Sequence, residues 1–194
     1  MKTTLRSSMS LAAMGLTLAA CTTMADDMAM ATDSSVVMVG GAPMYPTRNI
    51  IENAVNSADH TTLVAAVKAA GLVDTLMGAG PFTVFAPTND AFAKLPAGTV
   101  ETLLKPENQA MLQSVLTYHV VPGRVTASDL MAMIRAGGGT ARLTTVQGGT
   151  LVARMNGDWV ELVDAKGGVA HVTKADVMQS NGVIHVTDSV SLPG

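Results

Sequence analysis

The spacing of apolar residues changes once along this chain, at the glycine run Gly137–Gly139. From Asn49 to Ala136 apolar side chains recur mostly at helical intervals. Beyond the glycines they fall into short alternating runs: Leu143–Gln147, Thr150–Met155, Trp159–Val163, Val169–Thr173 and Val183–Ser189. The connections between these runs carry hairpin signals, Gly148-Gly149, Asn156-Gly157-Asp158 and Gly167-Gly168. Helices followed by a strand meander predict an α+β domain.

In the first half, Ile50, Ile51, Ala54 and Val55 form one apolar face. Asp59 or Thr61 is placed to cap a second helix carrying Leu63, Val64 and Val67, which Gly71 closes. Pro96–Leu104, Pro106–His119 and Ser128–Ala136 read as further helices, with Met111, Leu112, Val115 and Leu116 on one face of the second. One strand interrupts them, Phe82–Ala86, stopped by Pro87. Thr88 then stands where an N-cap belongs. Asn89 and Asp90 fill a first turn whose dipole favours polar and acidic groups, and Phe92 returns at the position that packs inward. The corner reads as a strand-to-helix junction. It has no Gly-rich cradle with a Lys-Ser/Thr pair for phosphate, and Asp90 has no acidic neighbour for a carboxylate dyad.

The N-terminus has a different character. Lys2 and Arg6 precede an uncharged apolar run, Leu11–Ala20, ending in small residues, so residues 1–20 read as a secretory signal too short to span a bilayer. The next residue, Cys21, is the only cysteine, so no internal disulfide is possible. The stretch LAAC resembles the lipobox of bacterial lipoproteins. That resemblance implies acylation of Cys21, and Thr22 rather than Asp after it implies sorting to the outer membrane. Acyl chains hold a protein on a membrane without a spanning helix. Residues 21–46 then read as a tether with five methionines (Met24, Met28, Met30, Met38, Met44), and residues 47–194 as the domain. Met28 and Met30 are spaced to offer soft ligands to Cu(I), but no Met-x-x-Met series or His/Cys partner accompanies them. Val36–Val39 alternatively forms an edge strand or packs on the domain.

The formal charge of the full chain is −3, and loss of Lys2 and Arg6 with the signal leaves −5. A mildly acidic domain with six aromatic residues offers neither basic clusters nor stacking platforms, which excludes nucleic acid as an expected partner. No dinucleotide fingerprint, CxxC pair or HExxH is present, so no cofactor is expected.

FTVFAPTNDAF (Phe82–Phe92), TYHVVPG (Thr117–Gly123) and NGVIHVTDSVSLP (Asn181–Pro193) together resemble, in order and spacing, the first box, central Tyr-His motif and second box of the fasciclin domain. Thr187 stands where the family pattern carries an apolar residue. The resemblance runs from about Tyr45 to the end of the chain. It implies a β-sandwich-like wedge flanked by helices, in a secreted or surface-anchored module for adhesion or protein–protein contact, without catalysis. It also implies that the two boxes, including Thr88, Asn89, Asp90, Phe92, His185 and Asp188, are core-forming. In animal members the Tyr-His motif is linked to integrin binding. Here that makes Leu116, Tyr118, His119, Val120 and Val121 candidate contact residues, for a surface or extracellular protein or matrix component. The alternative is a packed tyrosine and a hydrogen-bonded core histidine.

Two further possibilities concern histidines. His171 and His185 sit in matching contexts, VAHVT and VIHVT. An antiparallel hairpin centred near Met178 would place them directly opposite each other, the start of a metal site if Asp176 or Asp188 supplied a third ligand. A hydrolase would need Ser114 and Asp129 gathered around His119, with no Gly-x-Ser-x-Gly elbow to advertise it. His60 is expected in a helix-capping turn.

Overall fold

A computed structural model describes residues 36–194. The signal sequence, Cys21, Met24, Met28 and Met30 lie outside the described residues. The chain enters through a small hairpin, β1 (Val37–Val39) and β2 (Ala42–Met44), whose Val39 and Met44 are buried against the body. Both readings of Val36–Val39 hold, since Val37–Val39 is a strand of a two-stranded hairpin and its Val39 packs on the domain. Three helices follow, α1 (Ile50–Ala54), α2 (Thr61–Ala69) and α3 (Val73–Met77). Next come β3 (Phe82–Pro87), α4 (Asn89–Ala93), α5 (Thr99–Leu103), α6 (Gln109–Tyr118), β4 (Val120–Pro122) and α7 (Ala127–Ala136). The rest is strand: β5 (Thr140–Thr144), β6 (Thr150–Asn156), β7 (Trp159–Val163), β8 (Val169–Gln179) and β9 (Gly182–Thr187).

Seven strands form one sheet in the order β4-β3-β9-β8-β7-β6-β5, and β3–β9 is its one parallel pair among the described residues. Parallel strands need a long crossover and cover on both faces. Accordingly β9 is buried along its whole length and β3 along all but its first residue. On one face Val84, Ala86, Ile184 and Val186 meet Ile50, Leu63, Leu76 and Leu116 from the helices. On the other, Phe85 meets Tyr118, Leu130 and Ile134 together with Leu143, Leu151 and Leu162 of the meander. The meander curls back until the Val146 amide donates to the Val120 carbonyl at 2.7 Å, nearly closing the sheet. The expected α+β wedge flanked by helices is the architecture found. Val55 and Met111, read as parts of apolar faces, are instead 47% and 60% exposed, one just past the end of α1 and the other on the outer side of α6.

The polar corner after β3 does more than begin a helix. Thr88 caps α4 as expected, its hydroxyl accepting from the Ala91 amide at 3.3 Å, and Phe92 packs inward. Asn89, however, reaches 27 residues back. Its Oδ1 accepts from the Thr62 amide at 3.0 Å and its Nδ2 donates to the Ala58 carbonyl at 2.8 Å. It thereby satisfies a free amide at the start of α2, where neither Asp59 nor Thr61 provides a side-chain cap. Asn89→Ala should destabilise the protein by about 1–2 kcal/mol, the cost of a lost cap. Urea unfolding checks this, with Asp90→Ala, an exposed neighbour, expected within about 0.5 kcal/mol of wild type.

Candidate functional site

The Tyr-His motif lies at the exit of α6. Leu112, Val115 and Leu116 recur on the buried side of that helix, and His119 forms its C-cap before the chain extends into β4. Because β4 lies beside β3, with a core on either face, alternate residues bury to opposite sides: Leu116 and Val120 in one core, Tyr118 and Val121 in the other. Leu116, Tyr118, His119, Val120 and Val121 are each at most 6% exposed. Their expected role as contact residues is therefore corrected. They join the two cores and offer no surface.

Polar atoms in this motif are equally committed. The Tyr118 hydroxyl donates to the Thr150 carbonyl at 2.7 Å and accepts from the Ala165 amide at 3.1 Å, clamping the β5–β6 and β7–β8 turns. Gly149 lets the ring lie close, since a Cβ there would sit 2.6 Å from it. Burial raises the proton affinity of the phenol. His119 Nδ1 donates to the Val115 carbonyl at 2.8 Å, while its Nε2 accepts from the Ser191 amide at 3.0 Å, fixing the neutral ring and holding the C-terminal segment. Burial lowers its pKa.

The hydrolase reading fails on this geometry. Both nitrogens of His119 are bound to backbone; the Ser114 hydroxyl accepts from Gln147, and Asp129 closes a capping box with Thr126 that holds its carboxyl below the usual range. Neither Ser114 nor Asp129 hydrogen-bonds to His119, so these three residues form no nucleophile–base pair.

The facing-histidine reading is also corrected. The β8–β9 turn is centred on Ser180–Asn181, not Met178, and two register shifts between Val172 and Val177 displace β8 further. His185 consequently lies opposite the bulge at Ala175–Asp176, where Asp176 takes φ 57°. It stacks on Phe85 at 5.5 Å in the second core. Its Nε2 donates to the Val125 carbonyl at 2.9 Å, its Nδ1 accepts from the Asp176 amide at 3.3 Å, and burial lowers its pKa. His171 projects from the other face. Its Nε2 lies 3.2 Å from Glu161 and its Nδ1 3.2 Å from Asp188. The two ring nitrogens point in opposite directions, so one ion cannot be held by all three residues. Among the described residues no cluster of three or more His, Cys, Asp or Glu is arranged to hold a metal.

Asp188 instead joins elements. It accepts from the His171 amide at 2.8 Å and pairs with Lys94 beyond α4 at 3.3 Å; burial opposes its charge, but these hydrogen bonds hold its pKa below the usual value. Glu161 is held low first by the Asn156 amide and next by Arg154, 2.8 Å away. Two other polar residues have structural roles that the sequence does not advertise. Asp164 accepts from the amides of Lys166, Gly168 and Leu192, and Asn181 binds the Ile50 amide and the carbonyls of Leu76 and Gly78. His60, expected in a capping turn, lies in a 3-10 turn just before α2. It is 3% exposed, with Nδ1 2.8 Å from the Ser57 hydroxyl, and burial lowers its pKa.

Comparison with known proteins agrees with this frame. The fasciclin domain model matches residues 58–193. Protein sll1483 of Synechocystis sp. is 46% identical over 164 residues, covering 84% of each chain. Immunogenic protein MPB70 of Mycobacterium bovis is 37% identical over 143 residues, covering 71% of this chain and 65% of that one. A solved FAS1 domain pair from the insect cell adhesion molecule Fasciclin I superposes with a TM-score of 0.66 at 18% identity, over 74% of this chain and 50% of that chain. With its three motifs in register and a family match across most of its length, the chain belongs to the fasciclin domain family.

Proposed function

We propose that this protein is an exported, lipid-anchored fasciclin module of the bacterial envelope that works by contact with another surface molecule, a protein or matrix component, and performs no catalysis. The observation that carries this reading is the commitment of the motif's polar groups to the frame: the two nitrogens of His119 and of His185 and the Tyr118 hydroxyl are all bound to backbone atoms. What remains for function is the outside. There the sheet offers a face with Val152, Val163 and Val169 paired across β6, β7 and β8, and Trp159, 56% exposed, at the tip of the β6–β7 hairpin. Aromatic residues in such positions are common anchors of protein interfaces. The FAS1 domain pair that shares this fold comes from an insect cell adhesion molecule, which is consistent with this use.

Anchoring rests on Cys21 and the LAAC stretch. The chain expressed in a Gram-negative host with labelled palmitate should incorporate label and fractionate with the outer membrane, and Cys21→Ser should abolish both. Unlabelled wild-type protein, or label retained by Cys21→Ser, would contradict the anchor.

A further inference from the structure

A cavity of about 40 Å³ lies between α1, α2 and the helix-side face of β3. Its walls are aliphatic, including Val39 and Met44 of the β1–β2 hairpin, Ile50, Leu63, Leu76 and Ile184. Two histidines reach it and they differ. His119 has partners for both nitrogens. His60 has only the Ser57 hydroxyl on Nδ1; its Nε2 is the one buried side-chain polar atom among the described residues without a hydrogen bond. Burial lowers the proton affinity of the ring, the Ala86 carbonyl opposes that only in part, and no hydrogen bond of normal geometry reaches Nε2. A buried nitrogen left unpaired is destabilising, a cost that an aliphatic residue at this position would avoid.

The wall made by the hairpin is held chiefly by the apolar packing of Val39, Ala42 and Met44, with few hydrogen bonds. Among the described residues it reaches the body through one backbone hydrogen bond, from the Ala58 amide to the Gly40 carbonyl at 3.2 Å, and one side-chain bond, from Lys174 Nζ to the Met38 carbonyl. It also precedes the stretch matched by the fasciclin model, which begins at residue 58.

We propose that this cavity is a binding site for a small neutral apolar molecule bearing one hydroxyl group, with the β1–β2 hairpin as its lid and His60 Nε2 as its polar anchor. Aliphatic walls exclude charge, and a single free polar atom calls for a single polar group. A hydroxyl both donates and accepts, so it suits either tautomer that Ser57 imposes on the ring. The volume of about 40 Å³ would hold three or four water-sized bodies at about 10–15 Å³ each, less than the about 150 Å³ that admits benzene. A ring therefore enters only when the hairpin lifts. Gly40 offers a lever. It takes φ +56°, and a Cβ would sit 2.4 Å from the Ser57 hydroxyl and 2.7 Å from the Asp59 amide, so Gly40→Ala forces the hairpin outward.

The test titrates the full chain with phenol and with toluene, following the Met44 and Val39 methyl signals and the His60 ring nitrogens by NMR. Phenol should shift both methyls saturably and move the Nε2 signal. Toluene should bind at least tenfold more weakly and leave Nε2 in place. Gly40→Ala should bind phenol severalfold faster, and His60→Leu should abolish the preference for phenol. Absence of saturable methyl shifts in both wild type and Gly40→Ala would overturn the proposal. So would equal affinity for the two probes, an unmoved Nε2 signal with phenol bound, or a phenol preference that survives His60→Leu.

Discussion

Tyr118→Ala should lower the unfolding free energy by about 3–5 kcal/mol, the range for removing a large buried aromatic side chain. The ring is fully buried and fills the second core between Phe85 and the meander. Tyr118→Phe separates packing from hydrogen bonding. It keeps the ring but leaves the Thr150 carbonyl and the Ala165 amide without their partner, which should cost about 1–3 kcal/mol. Urea midpoints for the two variants check both values. A change below about 0.5 kcal/mol for Tyr118→Ala would mean that the motif is not part of the frame. Domains of this kind have about 5–15 kcal/mol in total, so the alanine variant sits near the edge of folding.

Acid should unfold this protein well above the range where carboxylates titrate. His60, His119 and His185 are all buried, and burial lowers the pKa of each below the ordinary value of 6.5. For His119 and His185 the hydrogen bonds give a second reason, since each accepts a backbone amide on its unprotonated nitrogen and a proton there would face an N–H. The unfolded chain therefore binds protons that the folded chain resists. Stability from these groups is constant above about pH 7.5 and falls as pH drops through about 6.5, until the lower folded-state values are reached. The three groups act in the same direction, so their contributions to the fall add. Unfolding midpoints measured from pH 8 to pH 5 should show this fall. His185→Gln, which can donate to Val125 and accept from Asp176, should make the fall shallower. A flat profile between pH 7 and pH 5 would contradict the burial of these rings as neutral groups.

What could be read from the sequence was mostly what lies close along it. Thr88 was legible as a cap because its partner is the Ala91 amide, three residues on. The two hydrogen bonds Asn89 makes to the α2 start were not, because Thr62 and Ala58 lie 27 and 31 residues away and nothing in TNDA marks the reach. Trp159–Val163 was placed to the residue because the Asn-Gly-Asp turn and the alternation both bound it. The misplacement of His171 against His185 came from matching VAHVT to VIHVT as though β8 were regular. The apolar pattern carried no signal of the bulges: Val172 and Val177 are five residues apart and pack in different cores, as they would on an unbroken strand, because the two register shifts between them restore the alternation. The motif at Tyr118 was harder. Its apolar flanks suit an exposed contact patch and a double-sided core equally well, and only the parallel β3–β9 pair, which joins segments a hundred residues apart, decides for the core.

The central claim is that the signature residues build the frame while contact is made on the outer surface. Its most direct test is cross-linking of the full chain in cells that express it, scored as partner captured per folded molecule, for wild type, Tyr118→Phe and Trp159→Ala. Tyr118→Phe should capture as much as wild type per folded molecule while its unfolding midpoint drops, and Trp159→Ala should lose capture severalfold with its midpoint unchanged. Loss of capture by Tyr118→Phe at an unchanged midpoint, with Trp159→Ala indifferent, would contradict the claim.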